Sequence, residues 1–215
     1  MLIIKLQFNK NLLYNNMKSV NIYQKCRYSM EKSFFTGKCL IAMPCLKDER
    51  FEHTLIYICS HTERGAMGFV VNKKIKEFSF SDLASQLPIA NINPSIPIEL
   101  HQGGPLEKVR GFVIHSTDYI KEDTVVIDDK IAISSSIDII TDIAFGIGPK
   151  DNLIALGYAS WAPKQLEQEI ANNYWMVINP TSELVFRTKD EDKWQKALDE
   201  LGIDMNRLSD TCGHA

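Results

Sequence analysis

No stretch of the 215-residue chain is apolar for long enough to cross a bilayer as a helix. Its uninterrupted apolar runs are a few residues, such as Leu2 to Ile4 and Val125 to Ile127, against the ~20 that a membrane helix requires. No helical span is therefore expected, and no secretory signal either, since the Asn- and Lys-broken N-terminus lacks an apolar stretch of roughly 7–15 residues. The five cysteines, Cys26, Cys39, Cys45, Cys59 and Cys212, form no C-x-x-C pair, so reduced thiols in a cytosolic protein are the simplest reading. Neither G-x-x-x-x-G-K-[ST] nor G-x-G-x-x-G occurs, which removes the two common nucleotide motifs, and nothing else in the chain indicates a cofactor. There is no G-x-S-x-G nucleophile elbow either.

Acidic residues are absent from residues 1–29, which carry five basic groups and neither Gly nor Pro. The remaining 186 residues hold 19 basic and 27 acidic groups, net −8. Nucleic-acid backbones are held chiefly by Lys and Arg, so this acidic body disfavours direct nucleic-acid binding. For residues 1–29 three readings compete: an amphipathic surface or targeting segment, a flexible tail, or a start set upstream of Met30 or Met17. The absence of an anchor motif favours the tail or the mis-set start. The domain is expected to span 30–215.

What is present is a chain with 45% apolar side chains, enough for one well-filled core. "KCLIAM" (38–43), "LIYIC" (55–59) and "GFVVN" (68–72) read as strands, the last two as a hairpin. Ser79 and Asp82 form a capping signal for "FSDLASQL", which Pro88 closes. Further strands are expected at 98–101, 111–115, 124–127 and 131–133. Ser136 can cap "IDIITDIAF", and Gly146 can end it. A strand over 153–158 leads into a corner, a helix over 163–171, the strand "YWMVI", a strand "ELVF" and the helix "DEDKWQKALDEL" closed by Gly202. Hairpin-like strands with irregularly interspersed helices indicate an α+β fold.

Four ordered motifs resemble the YqgE/AlgH family. They are "GKCLIAMPCLKDERFEHTLIYICSHTERGAMGFVVNK" (37–73), "GGP" (103–105), "RGFVIH" (110–115) and "LGYASWAPKQLEQEI" with "NYW" (156–175). The resemblance implies a cytoplasmic bacterial protein, uncharacterised and carrying a transcriptional-regulator label. It also implies one compact α+β domain of strongly coiled, partly bifurcated mixed β-sheets with packed helices. A regulatory or protein-interaction role follows, with an unknown protein partner and an oligomeric state left open. In one place the chain departs from the pattern: the family usually has glycine where Lys164 stands.

Two places could bind a small anion. At the corner, Pro163 suits the first helical position and Ala162 would be a poor N-cap, so free helical N–H groups beside Lys164 and Gln165 could attract an anion. The competing reading makes the corner structural: Trp161 and Trp175 brace the core, Leu166 and Ile170 face inward, and Gln165 caps a backbone group. The second place is "HQGGP", where Gly103 and Gly104 let a backbone or a ligand approach closely. Gly103, Gly104, Lys164 and Gln165 are thus the candidate ligand-binding residues, and the rival function is a small anionic-ligand-binding protein or enzyme built on them. Cys45, His53, Cys59 and His61 lack the paired spacing of a zinc site, so no metal is expected. His115 with Ser134 to Ser136 suggests no triad, and the pairs Glu167/Glu169 and Asp128/Asp129 read as solvated carboxylates. No catalytic constellation emerges, and the balance lies against an enzyme.

Overall fold

The apolar runs pair as strands of one nine-stranded sheet in the computed structural model, which describes residues 35–85 and 98–203. The strands are β1 (Cys39–Ala42), β2 (Leu55–Thr62), β3 (Gly65–Val70), β4 (Leu100–Gln102), β5 (Leu106–Ser116), β6 (Val125–Val126), β7 (Ile131–Ser134), β8 (Asn152–Trp161) and β9 (Trp175–Ile178). Their order is β6-β7-β5-β8-β3-β2-β1-β9, antiparallel throughout, with β4 joining β8 in parallel. The helices are α1 (Phe80–Ser85), α2 (Ile137–Ala144), α3 (Gln165–Ala171) and α4 (Asp190–Glu200), with a short 3₁₀ turn at Glu49–Phe51 and a π-helix at Glu183–Arg187. The expected α+β architecture is the observed one, and the expected hairpin is β2–β3.

Strand β8 is where the sheet forks. Asn152 to Leu156 and Tyr158 pair with β5 on one side, Ile154 to Leu156 with β4 on the other, and from Ala159 on the strand pairs with β3. Gly157 has φ +75°, a backbone that side-chain-bearing residues adopt at a cost, and it redirects the strand. Gly103 and Gly104 lie against this bend. A Cβ on Gly103 would stand 2.4 Å from the Gly157 carbonyl oxygen, and one on Gly104 would stand 2.1 Å from the Tyr158 carbonyl carbon. The close approach that the paired glycines permit is made by the chain's own backbone.

Both faces of the sheet are covered, which is why the strands read as continuous apolar runs rather than alternating ones. Cys39, Ile41, Tyr57, Phe69, Phe112 and Ala155 face α4 and the π-helix. Leu40, Ile56, Ile58 and Val70 face the opposite side with Leu166 of α3. At the other end of the sheet Val113 and Ile154 pack with α1 and α2.

Several local expectations are corrected. "ELVF" is helical: Thr181 caps the turn by accepting from Leu184 N at 3.1 Å, and Thr188 N donates back five residues to Glu183 O. Leu184 and Val185 are buried as a strand would bury them, so the apolar run alone could not separate the two. Ser136 sits at the α2 N-cap, yet its hydroxyl makes no capping bond. Cys39 and Cys59 are free and buried, whereas Cys45 is disulfide-bonded, which departs from five reduced thiols. Ser79 and Asp82 do form the reciprocal capping box, with Asp82 N donating to the Ser79 hydroxyl and Ser79 N to the Asp82 carboxylate. Residues 1–29 and Pro88, the expected end of α1, lie outside the described residues.

Candidate functional site

The corner is organised around Glu169. Its Oε2 accepts from both indoles, Trp161 Nε1 at 2.8 Å and Trp175 Nε1 at 2.7 Å, and its Oε1 accepts from Gln165 Nε2 at 2.8 Å. The two indoles meet edge to face. Gln165 Oε1 in turn accepts from Ala162 N at 2.9 Å, so the glutamine caps the corner backbone. The helix does not begin at Pro163: the residue before α3 is Lys164, in the left-handed region at φ +65°. A Pro163-led first turn is thereby replaced by a tight turn. Glu169 and Glu167 are not merely solvated, since Glu167 lies 3.3 Å from His61 Nε2. Asp128 likewise accepts from Tyr57 Oη and from two backbone N–H groups.

The four candidate residues do not share a cavity. Gly104 borders a depression of about 10 Å³, room for one water, while Lys164 and Gln165 stand exposed beyond the end of β8. His115 and Ser134 do meet, Nε2 to Oγ at 3.1 Å, but both are buried and Nδ1 is held on the Ser116 carbonyl. This pair borders neither the depression nor the larger cleft described next.

A cleft of about 780 Å³ opens elsewhere, between the start of β4, the α2–β8 loop, and the junction of the π-helix with α4. That volume falls in the range of small-molecule sites. Its floor is polar. His101 Nε2 lies 2.9 Å from Asp190 Oδ2, and Asp190 Oδ1 accepts from Lys193 Nζ at 2.7 Å. Lys193 also donates to the Val71 carbonyl at 2.6 Å, and the neighbouring Trp194 donates to the Ala42 carbonyl at 2.8 Å, which docks α4 on the sheet. Residues 73–75 run antiparallel to β4, through a bridge between Lys74 and His101, and this places Lys74 Nζ 2.7 Å from Glu99 Oε1.

Electrostatics follow from burial and pairing. Burial pushes the Asp190 carboxyl up, but the His101 hydrogen bond and the Lys193 charge outweigh it and hold the group at about 2. Burial lowers the Lys193 ammonium, against the attraction of Asp190. On the walls, Arg187 makes a two-pronged contact with Asp151, both bonds at 3.0 Å. Lys150 and Lys189 also line the cleft, and no carboxylate among the described residues lies within ion-pair distance of either. The cleft thus carries five cationic side chains against four carboxylates, and two of the cations are unmatched. A π-helix at its edge is a further mark, since such turns concentrate at functional sites.

Sequence reasoning passed over His101, Asp190 and Lys193. The available signal was the histidine of "HQGGP" itself, standing two residues before the glycine pair.

A forked sheet covered on both faces, with a polar cleft beside β4, defines a single-domain α+β protein. The chain belongs to the AlgH-like family, whose model matches residues 39–206. A UPF0301 protein of Rhodospirillum rubrum is 43% identical over 184 residues, covering 86% of this chain and 96% of that protein. A UPF0301 protein of Paracoccus denitrificans is 45% identical over 188 residues, covering 86% and 99%. The solution structure of the AlgH protein from Pseudomonas aeruginosa matches with a TM-score of 0.68 at 32% identity, over 87% of this chain and all of that one.

Proposed function

We propose that the chain is a binding protein for a small anionic ligand, held in the cleft between β4, the α2–β8 loop and the start of α4. The observation that carries this reading is the pair of unmatched ammonium groups, Lys150 and Lys189, on the wall of a cavity of ligand size. Cations held without a carboxylate beside a concave surface attract and retain anions. The site differs from the glycine loop and helix start expected from the sequence, because those positions border no comparable cavity.

A thermal-shift screen of the full chain against phosphate, nucleotides and acidic metabolites tests it. A ligand at a hundredfold excess over its dissociation constant adds about 2.7 kcal/mol of stability. For a chain of this length that raises the midpoint by about 5–10 °C. The double variant Lys150→Glu with Lys189→Glu should lose the shift, and Lys164→Glu should keep it. A flat screen, or a shift that Lys164→Glu abolishes, would overturn the reading.

A regulatory or protein-interaction role is the second reading. Phe145 and Ile147, 52% and 68% exposed, flank in sequence the cleft-lining Gly146 and favour a protein contact. Both readings are of a cytosolic protein, the compartment the family resemblance implies. In the second, Phe145→Ser with Ile147→Ser should leave any ligand shift intact while removing partner retention.

A further inference from the structure

The floor of the cleft has the composition of a cation site. Glu99, His101 and Asp190 each present a ligand atom, and the three atoms lie within 4.8 Å of one another. Zinc binds imidazole nitrogen and carboxylate oxygen at about 2.0–2.2 Å, so the ligand atoms of a tetrahedral site stand roughly 3.3–3.6 Å apart. Reaching that geometry takes a side-chain rotation by Glu99, which is 53% exposed, and a widening of the 2.9 Å contact between His101 Nε2 and Asp190 Oδ2.

A positive charge already stands at the carboxylates. Lys74 Nζ is 2.7 Å from Glu99 Oε1 and 3.7 Å from Asp190 Oδ2. The Lys74 side chain is 38% exposed, so the ammonium can swing into solvent when another cation arrives. Lys193 occupies Asp190 Oδ1 and would stay there, leaving Oδ2 as the ligand atom. His101 supplies the buried nitrogen of the set, its Nε2 facing Asp190 Oδ2. The residue is only 4% exposed and its Nδ1 makes no hydrogen bond. Its ring is thus anchored on one side alone, by Asp190, although a buried polar atom ordinarily finds a partner.

We propose that Glu99, His101 and Asp190 form a binding site for a divalent ion of the zinc type, which displaces the Lys74 ammonium and keeps its remaining coordination position open to the cleft. The imidazole among the donors favours a zinc-type ion over magnesium and calcium, which take oxygen ligands. These are not the cysteines and histidines weighed for metal from the sequence, and the site stands independently of the anion reading, because metal binding is measured without any anion present.

The test is a calorimetric titration of the full chain with Zn²⁺ alone, paired with the visible spectrum of the Co²⁺ form. One saturable ion is expected, with a tetrahedral Co²⁺ band and no thiolate charge-transfer band. Glu99→Gln, at an exposed position, should weaken binding by more than the roughly 10–100-fold that loss of an outer-sphere partner causes. His101→Asn should do the same, and Lys74→Met should tighten binding by removing the competing charge. No saturable binding, a thiolate band, or unchanged affinity in Glu99→Gln would overturn the site. Unchanged or weaker binding in Lys74→Met would overturn displacement of the lysine.

Discussion

Lys164 stands where the resemblance to the family implies a glycine, and its backbone gives that expectation a physical reason. At φ +65° and ψ −1° a side chain crowds its own backbone, at about 1–2 kcal/mol for a residue other than glycine. The turn ending β8 demands that conformation whatever residue stands in it. Lys164→Gly should therefore stabilise the protein, less the extra freedom that glycine gives the unfolded chain, about 0.4–1 kcal/mol. The net expectation is a gain of about 0.5–1 kcal/mol, a rise of about 1–4 °C in thermal midpoint. Lys164→Ala should give no such gain, and a loss in Lys164→Gly would show that the lysine itself supports the turn. The position was legible as unusual from sequence, but its reason was not, because φ is set by where β8 ends.

At the scale of elements, the α3 corner is held by one carboxylate serving three donors. Trp161 and Trp175 are buried, so removing Glu169 strands two indole N–H groups away from water. Hydrogen bonds to charged groups contribute about 1.5–3 kcal/mol each, and an orphaned buried donor costs about 1–3 kcal/mol. Glu169→Ala should lose about 3 kcal/mol or more in urea denaturation, and Glu169→Gln less, since an amide oxygen remains to accept. A loss under about 1 kcal/mol in Glu169→Ala would mean that the indoles are satisfied by water. Local signals made much of this level readable: the Ser79–Asp82 box, the β2–β3 hairpin and the Gly146 stop all use neighbours within a few residues. "ELVF" reads as a strand because a three-residue apolar run fits a strand or a single wide helical turn equally well, and the Thr181 cap that decides between them is one hydroxyl. Glu169 was passed over as solvated because its donors come from β8 and β9, and only tertiary packing brings their indoles to it.

For the molecule as a whole, the distance between partners limits what a sequence discloses. His101 and Asp190 are 89 residues apart and meet only because β4 and α4 both pack at the end of the sheet. The same packing buries groups that titrate, and this shapes stability across pH. Burial lowers the pKa of His115 and of His61 from 6.5; the Ser116 carbonyl, Asp118 and Asp123 around His115, and Glu167 beside His61, offset this only in part. Above 6.5 both histidines are neutral folded and unfolded, so neither biases folding. As pH falls below 6.5 the unfolded chain takes up these protons first, and stability drops until the folded-state values are passed. A second decline follows below 3.8, where hydrogen bonds from Arg50, Ser79 and Ser116 keep Asp48, Asp82 and Asp118 charged in the folded state. Asp190 extends this decline to about 2. Urea midpoints measured from about pH 7.5 to about pH 5.5 should therefore fall well before any carboxylate titrates. His115→Gln should flatten part of that slope, because glutamine has no proton to gain. Parallel slopes for the wild type and His115→Gln would show that His115 takes up a proton as readily folded as unfolded, and would remove buried histidine as the cause.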